Sequence, residues 1–519
     1  MSRPGFILEV EKRTPALLIG DGGAGRLAPL PLGTQVVYPN EYDTAILDVD
    51  QAIGDALRSP RDSAPLADLL GPDRRLTVVV TGLAVAPMAH DIRGRLLEQV
   101  LEVAAARQVN DVRVLVAVGA GRRLTGAELV AVLGQRVVDA LGPDGLVLQH
   151  DLADPAGAAD LGPTTAGEPV LVNRRLAESD VVVTVNVARE AADAGAGFLA
   201  DGVVALATLD ACHGFGAVDG ASDRVAAVLA DKLPLFAIDV VTDQADIAPA
   251  FDYLGRREWE WSVRQRMALG LARRAQGVAH ERLHRAMWEA GQARRTAAIT
   301  AGDPVRVAGA TRRVLADQQV VQLPAPVDVL ITGVAGRTRY NAGTTVDPIT
   351  AAWSALRGLH RPGAPVRQGG AVIVCHPLRQ DFSSTEQQAA GDFFAQVLTR
   401  TTDPAVINTE HERRFAEDEW YGHVHRDQHA YAGILPVYQW YAISRARAHC
   451  GDIVWVGADR DSAARMGMRA ATTLADALEI VANRIGPDPQ VAYLHAGATM
   501  VTDVVEGRVP QGRVEEGRG

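Results

Sequence analysis

Several features that mark specialised classes of protein are missing from this chain of 519 residues. It has three cysteines, Cys212, Cys375 and Cys450, and their wide spacing excludes a disulfide framework and a CxxC zinc or redox site. No uninterrupted apolar run reaches the roughly 18 residues that a membrane-spanning helix needs, and the first residues lack the pattern of a signal peptide. We therefore expect a cytoplasmic protein without a membrane partner.

An excess of positive charge is missing as well. The chain has 52 Lys and Arg against 63 Asp and Glu, which gives a formal net charge of -11, and lysine is scarce. Nucleic-acid-binding domains usually carry a clear basic excess, so nucleic acid is not expected as a partner. What is present is a 47% hydrophobic composition and a length that predicts a large core divided over two or three domains.

Continuous apolar runs rich in β-branched residues predict strands that are covered on both faces, as in parallel sheets. They occupy residues 75–85, 111–119, 144–151, 180–188, 233–241, 327–336, 369–377, 452–459 and 490–497. Helical patterns lie between them, for example at residues 93–108 and 125–141. The alternation predicts the α/β fold class.

The arrangement of these patterns predicts two α/β domains with mainly parallel sheets, joined by a helical hinge, with a ligand cleft between them. Residues 255–320 show long helical periodicity with few strand signals. The predicted units are an N-terminal α/β domain at 1–255, a helical connector at 256–322, a C-terminal α/β domain at 323–505 and a flexible tail at 506–519.

The segment VAVGAGRRLTG, residues 116–126, combines a strand, a Gly-Ala-Gly turn and a helix start, an arrangement that can present backbone N–H groups to an anion. Leu124 stands where the third glycine of a GxGxxG motif would be, and no Walker-type motif occurs in the chain. An ordinary glycine turn of an α/β sheet is therefore favoured over a dinucleotide site.

A histidine-rich segment, EWYGHVHRDQHAY, covers residues 419–431. If it is helical, His425 and His429 are four residues apart on one face, a spacing that can hold a divalent metal, and Trp420 is near enough to line a pocket. The alternative is a solvated loop with titratable side chains.

Arg337, Arg339 and Tyr340 follow a predicted strand, at the end where open α/β sheets bind ligands. The planar fork of an arginine can donate two parallel hydrogen bonds to a carboxylate, so this segment is a candidate for carboxylate recognition. A solvated loop is again the alternative. His213, beside Cys212, is either a packed residue or a ligand.

Several longer phrases resemble the lactate racemase family. The closest is HDLADPAGAADLGPTTAGEPVLVNRRLAESDVVVTVN at 150–186, and further phrases lie at 52–70, 121–134, 299–315, 324–332 and 456–479. The resemblance extends over about residues 45–500. It implies two α/β domains with the active site between them, and a nickel-pincer cofactor that serves the racemisation or epimerisation of 2-hydroxy acids.

The positions that carry chemistry in the family differ in this chain. The resemblance aligns the family's Asp-x-Thr-Arg phrase with residues 82–85, which read Gly-Leu-Ala-Val, and its Gly-Thr-His-Arg phrase with residues 119–122, where Arg122 is retained. It places the second catalytic histidine near Ala191, the lysine that carries the cofactor near Asp201, and the nickel-binding histidine close to His213. The attachment lysine is therefore missing, and no cofactor or another divalent metal is the alternative to the pincer.

The resulting prediction is a diverged lactate-racemase-like protein that binds a small carboxylate-bearing metabolite of the 2-hydroxy acid type in the cleft between its domains. If it is an enzyme, it is an isomerase with altered chemistry. A non-catalytic pseudoenzyme that scaffolds or regulates an active paralogue, and an intact nickel-dependent racemase, are the alternatives; a homo-oligomer is compatible with each. The candidate residues are Arg122, His90 and Tyr340 for catalysis, Arg93, Arg337, Arg339 and Trp420 for substrate binding, and His213, His425 and His429 for metal.

Overall fold

The computed structural model describes a defined part of the chain: residues 5–21, 25–40, 45–82, 91–154, 156–242, 253, 257–278, 295–334, 346–495 and 501–504. The strands are β1 Phe6–Glu9, β2 Leu17–Ile19, β3 Arg26–Ala28, β4 Gln35–Tyr38, β5 Arg75–Thr81, β6 Asp111–Ala117, β7 Val147–Gln149, β8 Ala158–Pro163, β9 Pro169–Asn173, β10 Val181–Val187, β11 Leu235–Thr242, β12 Thr296–Gly302, β13 Val320–Leu323, β14 Val327–Gly333, β15 Val366–Cys375, β16 Asp452–Val456, β17 Arg469–Ala471, β18 Val491–Leu494 and β19 Val501–Val504.

The α-helices are α1 Val49–Arg58, α2 Leu66–Leu69, α3 Ile92–Ala106, α4 Gly126–Leu133, α5 Gln135–Leu141, α6 Arg174–Ala177, α7 Gly197–Gly202, α8 Leu206–His213, α9 Ala221–Lys232, α10 Val263–Val278, α11 Pro304–Gln319, α12 Pro348–Leu356, α13 Gln388–Asp392, α14 Pro404–Ile407, α15 Arg413–Glu417, α16 Glu419–Asp427, α17 Leu435–His449, α18 Arg460–Arg465 and α19 Leu474–Ile485. Short 3-10 turns lie at Ala191–Asp193 and Glu258–Glu260, and π-helical turns at Phe393–Val397 and Asn408–Glu412.

Two sheets form the centres of two lobes. The N-lobe sheet has the order β12-β11-β10-β5-β6-β7, and all of its neighbours are parallel except the edge pair β11 and β12. The C-lobe sheet has the order β1-β4-β18-β14-β15-β16-β17, and only β1 and β4 are antiparallel in it. The predicted α/β class with mainly parallel sheets is confirmed.

The predicted domain boundaries do not follow these sheets. Strands β1 and β4, which were assigned to the N-terminal domain, pair in the C-lobe sheet. Strand β12, inside the predicted helical connector, pairs with β11, and α11 packs on both strands in the N-lobe. Within the predicted connector, the described helical parts are the 3-10 turn at Glu258–Glu260, α10 and α11, and of these α11 belongs to the N-lobe.

Local sequence explains where the helices around the lobe contact begin. Thr125 caps α4 in a reciprocal capping box with Glu128, and Asp303 caps α11, which has Pro304 in its first turn. Gly134 separates α4 from α5 within the single helical pattern at 125–141, because it adopts a positive φ of 90° that ends one helix and begins the next.

The two lobes share one buried apolar cluster. Leu199 and Val203 of the N-lobe belong to it together with Ile349 and Val437 of the C-lobe. The lobes therefore pack against each other, and the predicted cleft is a contact surface whose polar residues decide what it can bind. None of the helices in the described part of the chain has both the length and the hydropathy that crossing a bilayer requires.

Candidate functional site

The turn after β6 is packed from both sides. Gly119 has a φ of 50°, and its N–H donates to the carbonyl oxygen of Gly202 at 3.1 Å. A Cβ atom added at Gly119 would lie 1.9 Å from the carbonyl oxygen of Asp201. On the other side, the carbonyl oxygen of Ala120 accepts from the N–H of Ala432 in the C-lobe at 3.2 Å. The turn therefore leaves no room for a side chain at its first glycine.

Arg122 is buried at the lobe contact. Its Nη1 donates to Oε2 of Glu128 at 2.8 Å, its Nη2 donates to Oε1 of the same carboxylate, and Oε2 of Glu386 in the C-lobe lies 3.6 Å from its Nε. Burial lowers the pKa of Arg122, but the hydrogen bond to Glu128 and the charge of Glu386 outweigh that effect and raise it. Two carboxylates of the protein already balance the positive charge of the guanidinium. It is therefore not available to balance a charge on a substrate, as the catalytic role predicted from the sequence requires.

Arg93 is also used within the protein. Its side chain is 0% exposed, and it donates to both carboxylate oxygens of Asp91 and to the carbonyl oxygens of Thr81 and Gly82. A fully buried guanidinium with these partners cannot reach a substrate, so the predicted substrate contact is replaced by a structural role. Arg93 holds the carboxyl end of β5 against the start of α3.

The histidine-rich segment is helical only in part. Helix α16 ends at Asp427, and His429 lies beyond it with a φ of 57°, so His425 and His429 do not share a helix face. Nδ1 of His425 pairs with the carbonyl oxygen of Ala430 at 2.9 Å, and Nδ1 of His429 with that of Arg123 at 3.3 Å. In the described part of the chain no group of three or more His, Cys, Asp or Glu side chains could hold a metal ion.

Trp420, the other predicted substrate contact with described structure, lies away from this contact. Trp420 is 53% exposed, and its indole N–H donates to Gln388 at 3.0 Å on the surface of the C-lobe. His90, Arg337, Arg339 and Tyr340 lie outside the described residues, so the structure adds nothing about them.

His213 contacts Asp201, the residue that the resemblance places near the cofactor-carrying lysine of the family. Its Nε2 lies 2.6 Å from Oδ1 of Asp201, and both side chains are a little more than one third exposed. The pair sits at the ends of α7 and α8, and the ring of Tyr438 from the C-lobe lies 6.3 Å from the imidazole. A histidine oriented by a carboxylate is an arrangement that can transfer protons.

A second polar contact across the lobes was missed by the sequence analysis. Arg357, which follows α12, binds the carboxylate of Glu190 with both Nη atoms, one of them at 2.8 Å, and its guanidinium lies 4.4 Å from the centre of the Trp353 ring. Glu190 belongs to residues 189–195, hereafter the cleft loop, where the resemblance places the second catalytic histidine. This is the geometry with which an arginine recognises a carboxylate.

A polar row crosses the N-lobe sheet beneath the cleft loop. The Thr81 hydroxyl donates to Oδ1 of Asn186 at 2.8 Å, Nδ2 of Asn186 donates to Oδ1 of Asp239 at 2.9 Å, and the N–H of Gly195 donates to Oδ2 of Asp239 at 2.8 Å. Asp239 is the single polar residue in the run LFAIDVV, and Asn186 shares the largely apolar run VVVTVNV with Thr184. That pattern was a signal by which the sequence analysis could have found them.

A small cavity lies beside Glu386 in the C-lobe. Its polar lining includes Asp347, Gln387, Thr350 and Gln439, and its volume is about 10 Å³, which is room for about one water molecule. A metabolite needs a pocket of hundreds of Å³, so this cavity is not its binding site.

These observations define a two-lobed α/β protein whose polar residues converge where the carboxyl ends of the N-lobe strands meet the C-lobe. Comparison with solved structures agrees: the lactate racemase apoprotein from Thermoanaerobacterium thermosaccharolyticum matches with a TM-score of 0.62 at 16% identity, over 94% of this chain and 99% of that one. A structural-genomics protein from Thermotoga maritima matches at 14% identity with a TM-score of 0.46, over 88% of this chain and 97% of that one.

Residues 28–202 match the model of the lactate racemase N-terminal domain. No curated protein sequence matches the chain. The chain is therefore similar to lactate racemases in this N-terminal domain, and the likeness to the apoprotein shows that the two chains share a fold over 94% of this one.

The residues at the cleft do not fit the family's nickel-pincer cofactor. The chain contains two lysines, Lys12 and Lys232, and both are exposed, one in the turn after β1 and one at the end of α9. The carboxylate of Asp201 cannot form the thioamide that a lysine amine forms, and it already binds Nε2 of His213. The attachment chemistry of the family therefore has no acceptor at this site.

The misfit predicts an unmodified polypeptide. Purified after expression together with the host's cofactor-producing enzymes, the intact chain should have the mass of its sequence, 55.1 kDa, because neither lysine faces the cleft. Intact-mass spectrometry checks this. A family member with its lysine in place, treated in parallel, is the positive control, and an adduct on this chain would contradict the assignment.

Proposed function

We propose that this protein binds a small carboxylate-bearing metabolite of the 2-hydroxy acid type between its lobes, without the nickel pincer of the lactate racemase family. The observation that carries the proposal is the contact of Arg357 with Glu190, in which an arginine at the lobe contact already holds a carboxylate with both Nη atoms. A ligand carboxylate would take the place of the Glu190 carboxylate when the cleft loop moves away.

Two features suit Arg357 to exchange one carboxylate for another. Its side chain is 30% exposed and that of Glu190 is 34% exposed, so water and solutes reach the pair. The Trp353 ring stacks against the guanidinium and supports it when Glu190 is absent. Arg122 lacks both features, since it is 4% exposed and lies between two carboxylates.

The His213 and Asp201 pair would supply the acid–base chemistry if the bound metabolite is converted. Asp201 holds Nε2 of the imidazole, which leaves Nδ1 as the nitrogen that exchanges a proton with a ligand. Such a pair can move a proton on or off a hydroxyl group or an adjacent carbon. An isomerase of this kind would have chemistry that differs from the family's.

Replacing Glu190 by glutamine should strengthen binding of 2-hydroxy acids, because the protein's own competing charge is removed. We expect an affinity several-fold higher than that of the wild type for the best member of a panel of D- and L-2-hydroxy acids, and no binding by Arg357→Ala. Isothermal titration calorimetry measures the affinity, and the shift of the melting temperature ranks the panel.

The control is another exposed ion pair between the lobes, in which Nε of Arg426 lies 2.6 Å from Oδ2 of Asp151. Asp151→Asn removes an interlobe charge as Glu190→Gln does, but it should leave ligand affinity unchanged. Binding that survives in Arg357→Ala, or a panel that leaves both the wild type and Glu190→Gln unshifted, would overturn the proposal.

A non-catalytic scaffold is the second candidate, and the packed turn at Gly119 and Ala120 favours it. Backbone groups of both lobes contact Gly119 and Ala120, and Gly121 stands where the resemblance places one catalytic histidine of the family, which fits a protein that keeps the fold for binding another chain. In this case the partner would be an active paralogue or a second copy. To test this, the purified protein is mixed with the host's active paralogue, and the mass of the complex is measured by light scattering. A stable complex, formed by a protein that exchanges no α-proton of any 2-hydroxy acid in D₂O, supports the scaffold.

A further inference from the structure

The cleft loop is fixed by a set of contacts from the N-lobe. Nδ2 of Asn186 donates to the carbonyl oxygen of Asp193 at 2.8 Å, and Nε2 of Gln319 donates to that of Arg189 at 2.6 Å. At the end of the loop, the N–H of Gly195 donates to Oδ2 of Asp239 at 2.8 Å. The loop that carries Glu190 therefore rests on side chains of β10, β11 and α11.

Asp239 differs from the other anchors because it can titrate, and no cationic side chain among the described residues pairs with it. It is 1% exposed, and its hydrogen-bond donors are neutral: the amides of Gly195 and Asn186 and the hydroxyl of Thr311. The Asp193 carboxylate of the cleft loop acts on it as a like charge, while α11 faces it with Thr311, which is neutral. Arg312 of α11 is directed elsewhere, to the carbonyl oxygen of Ala191 and to Asp223.

We propose that Asp239 is the positioning residue of the cleft loop: it holds the Gly195 amide, keeps Glu190 against Arg357, and so controls access to the carboxylate site. The proposal rests on the proposed function where it calls Arg357 a carboxylate site, but the positioning of the cleft loop does not require that a ligand binds there. A carboxylate accepts from both amides at once, whereas a protonated carboxyl group carries a hydrogen on one of these oxygens and weakens the contact there.

The pKa of Asp239 sets the pH at which its contact with the Gly195 amide weakens. Burial raises the pKa of Asp239 to about 6, against the hydrogen bonds from Gly195 and Asn186 that lower it, and the charge of Asp193 adds to the rise. Above about pH 6 the ionised carboxylate holds the loop closed. Below this pH the proton binds, the hold on Gly195 weakens, and Glu190 separates from Arg357 more often.

Hydrogen exchange of the full-length protein without ligand tests the proposal. The protection factor of the Gly195 amide in the wild type should fall about tenfold between pH 7.5 and pH 5, after correction for the intrinsic rate. In Asp239→Asn, which has no titrating group there, the protection factor should be the same at both pH values.

The matched control is Asp347, another fully buried aspartate whose pKa is raised by burial, at the start of α12 in the C-lobe. Asp347→Asn should retain the wild-type pH profile at Gly195. If Asp239→Asn does not fold, the comparison of the wild type with Asp347→Asn still decides: a flat profile in the wild type, or its loss in Asp347→Asn, overturns the proposal. Failure of 2-hydroxy acids to bind would leave this profile unchanged, so the two proposals fail separately.

Discussion

Gly119→Ala should lower the free energy of unfolding by at least about 3 kcal/mol, because the added methyl group both strains the backbone conformation and collides with a neighbouring carbonyl group. The residue has a φ of 50°, a left-handed conformation that costs an L residue about 1 kcal/mol or more. The new Cβ would also lie 1.9 Å from the carbonyl oxygen of Asp201, so the backbone of α7 must move away. Urea unfolding followed by circular dichroism measures the change.

Gly145→Ala is the control for the backbone term alone. Gly145 has a similar φ of 65°, and nothing lies within 4 Å of an added Cβ. We expect a loss of about 1 kcal/mol there. Equal losses in the two variants would contradict the close packing at Gly119.

Residue 121, where the resemblance places a catalytic histidine of the lactate racemase family, is a glycine in the same turn. If an emptied catalytic position were simply a pocket, a larger side chain would fit in it with little cost. The structure instead brings the carbonyl oxygen of Asp201 and the backbone of Ala432 onto the turn. A Cβ atom at Gly121 would in addition lie 2.8 Å from the carbonyl oxygen of Val118, so the turn itself must shift to take a histidine there, and a single substitution should not restore the family's chemistry.

The strands could be predicted from sequence because each N-lobe strand buried on both faces is a continuous apolar run. Both ends of β10 and the last residue of β11 lie within one residue of the predicted limits. The start of β11, Leu235, lies two residues after the predicted one. Which sheet a strand joins could not be predicted, because pairing is decided by distant residues. β1 and β4 precede the N-lobe in sequence but pair, through β18, with the C-lobe sheet.

The candidate site was predictable only in its location. Arg122 and His213 were identified at the lobe contact, but their partners, Glu386 and Asp201, come from other segments whose approach no spacing rule reveals. Arg357 and Glu190 lie 167 residues apart, and each alone resembles an ordinary surface residue. The histidine pair at 425 and 429 failed for a local reason, since α16 ends before the second histidine.

Arg122→Leu should lower the free energy of unfolding by about 3–5 kcal/mol at neutral pH, because it removes the buried cation that balances the carboxylates of Glu128 and Glu386. Leucine fills part of the volume, so the loss reports mainly the uncompensated charge. The exposed pair of Arg426 with Asp151 is the matched control, and Arg426→Leu should cost less than about 1 kcal/mol.

The pH dependence of the Arg122→Leu effect separates charge from packing. In the wild type, burial raises the pKa of Glu128, but the hydrogen bond and charge of Arg122 outweigh burial and hold it below the usual 4.5. A carboxyl group with a lowered pKa stabilises the folded state above its unfolded pKa and loses that contribution as pH falls through the folded value. The gap in unfolding free energy between wild type and Arg122→Leu should therefore be widest at neutral pH and narrow as the pH falls below about 4.5, where Glu128 takes up its proton. A gap of constant size from pH 7 to pH 3 would show that Arg122 supports the lobe contact by packing, with no net contribution from its charge.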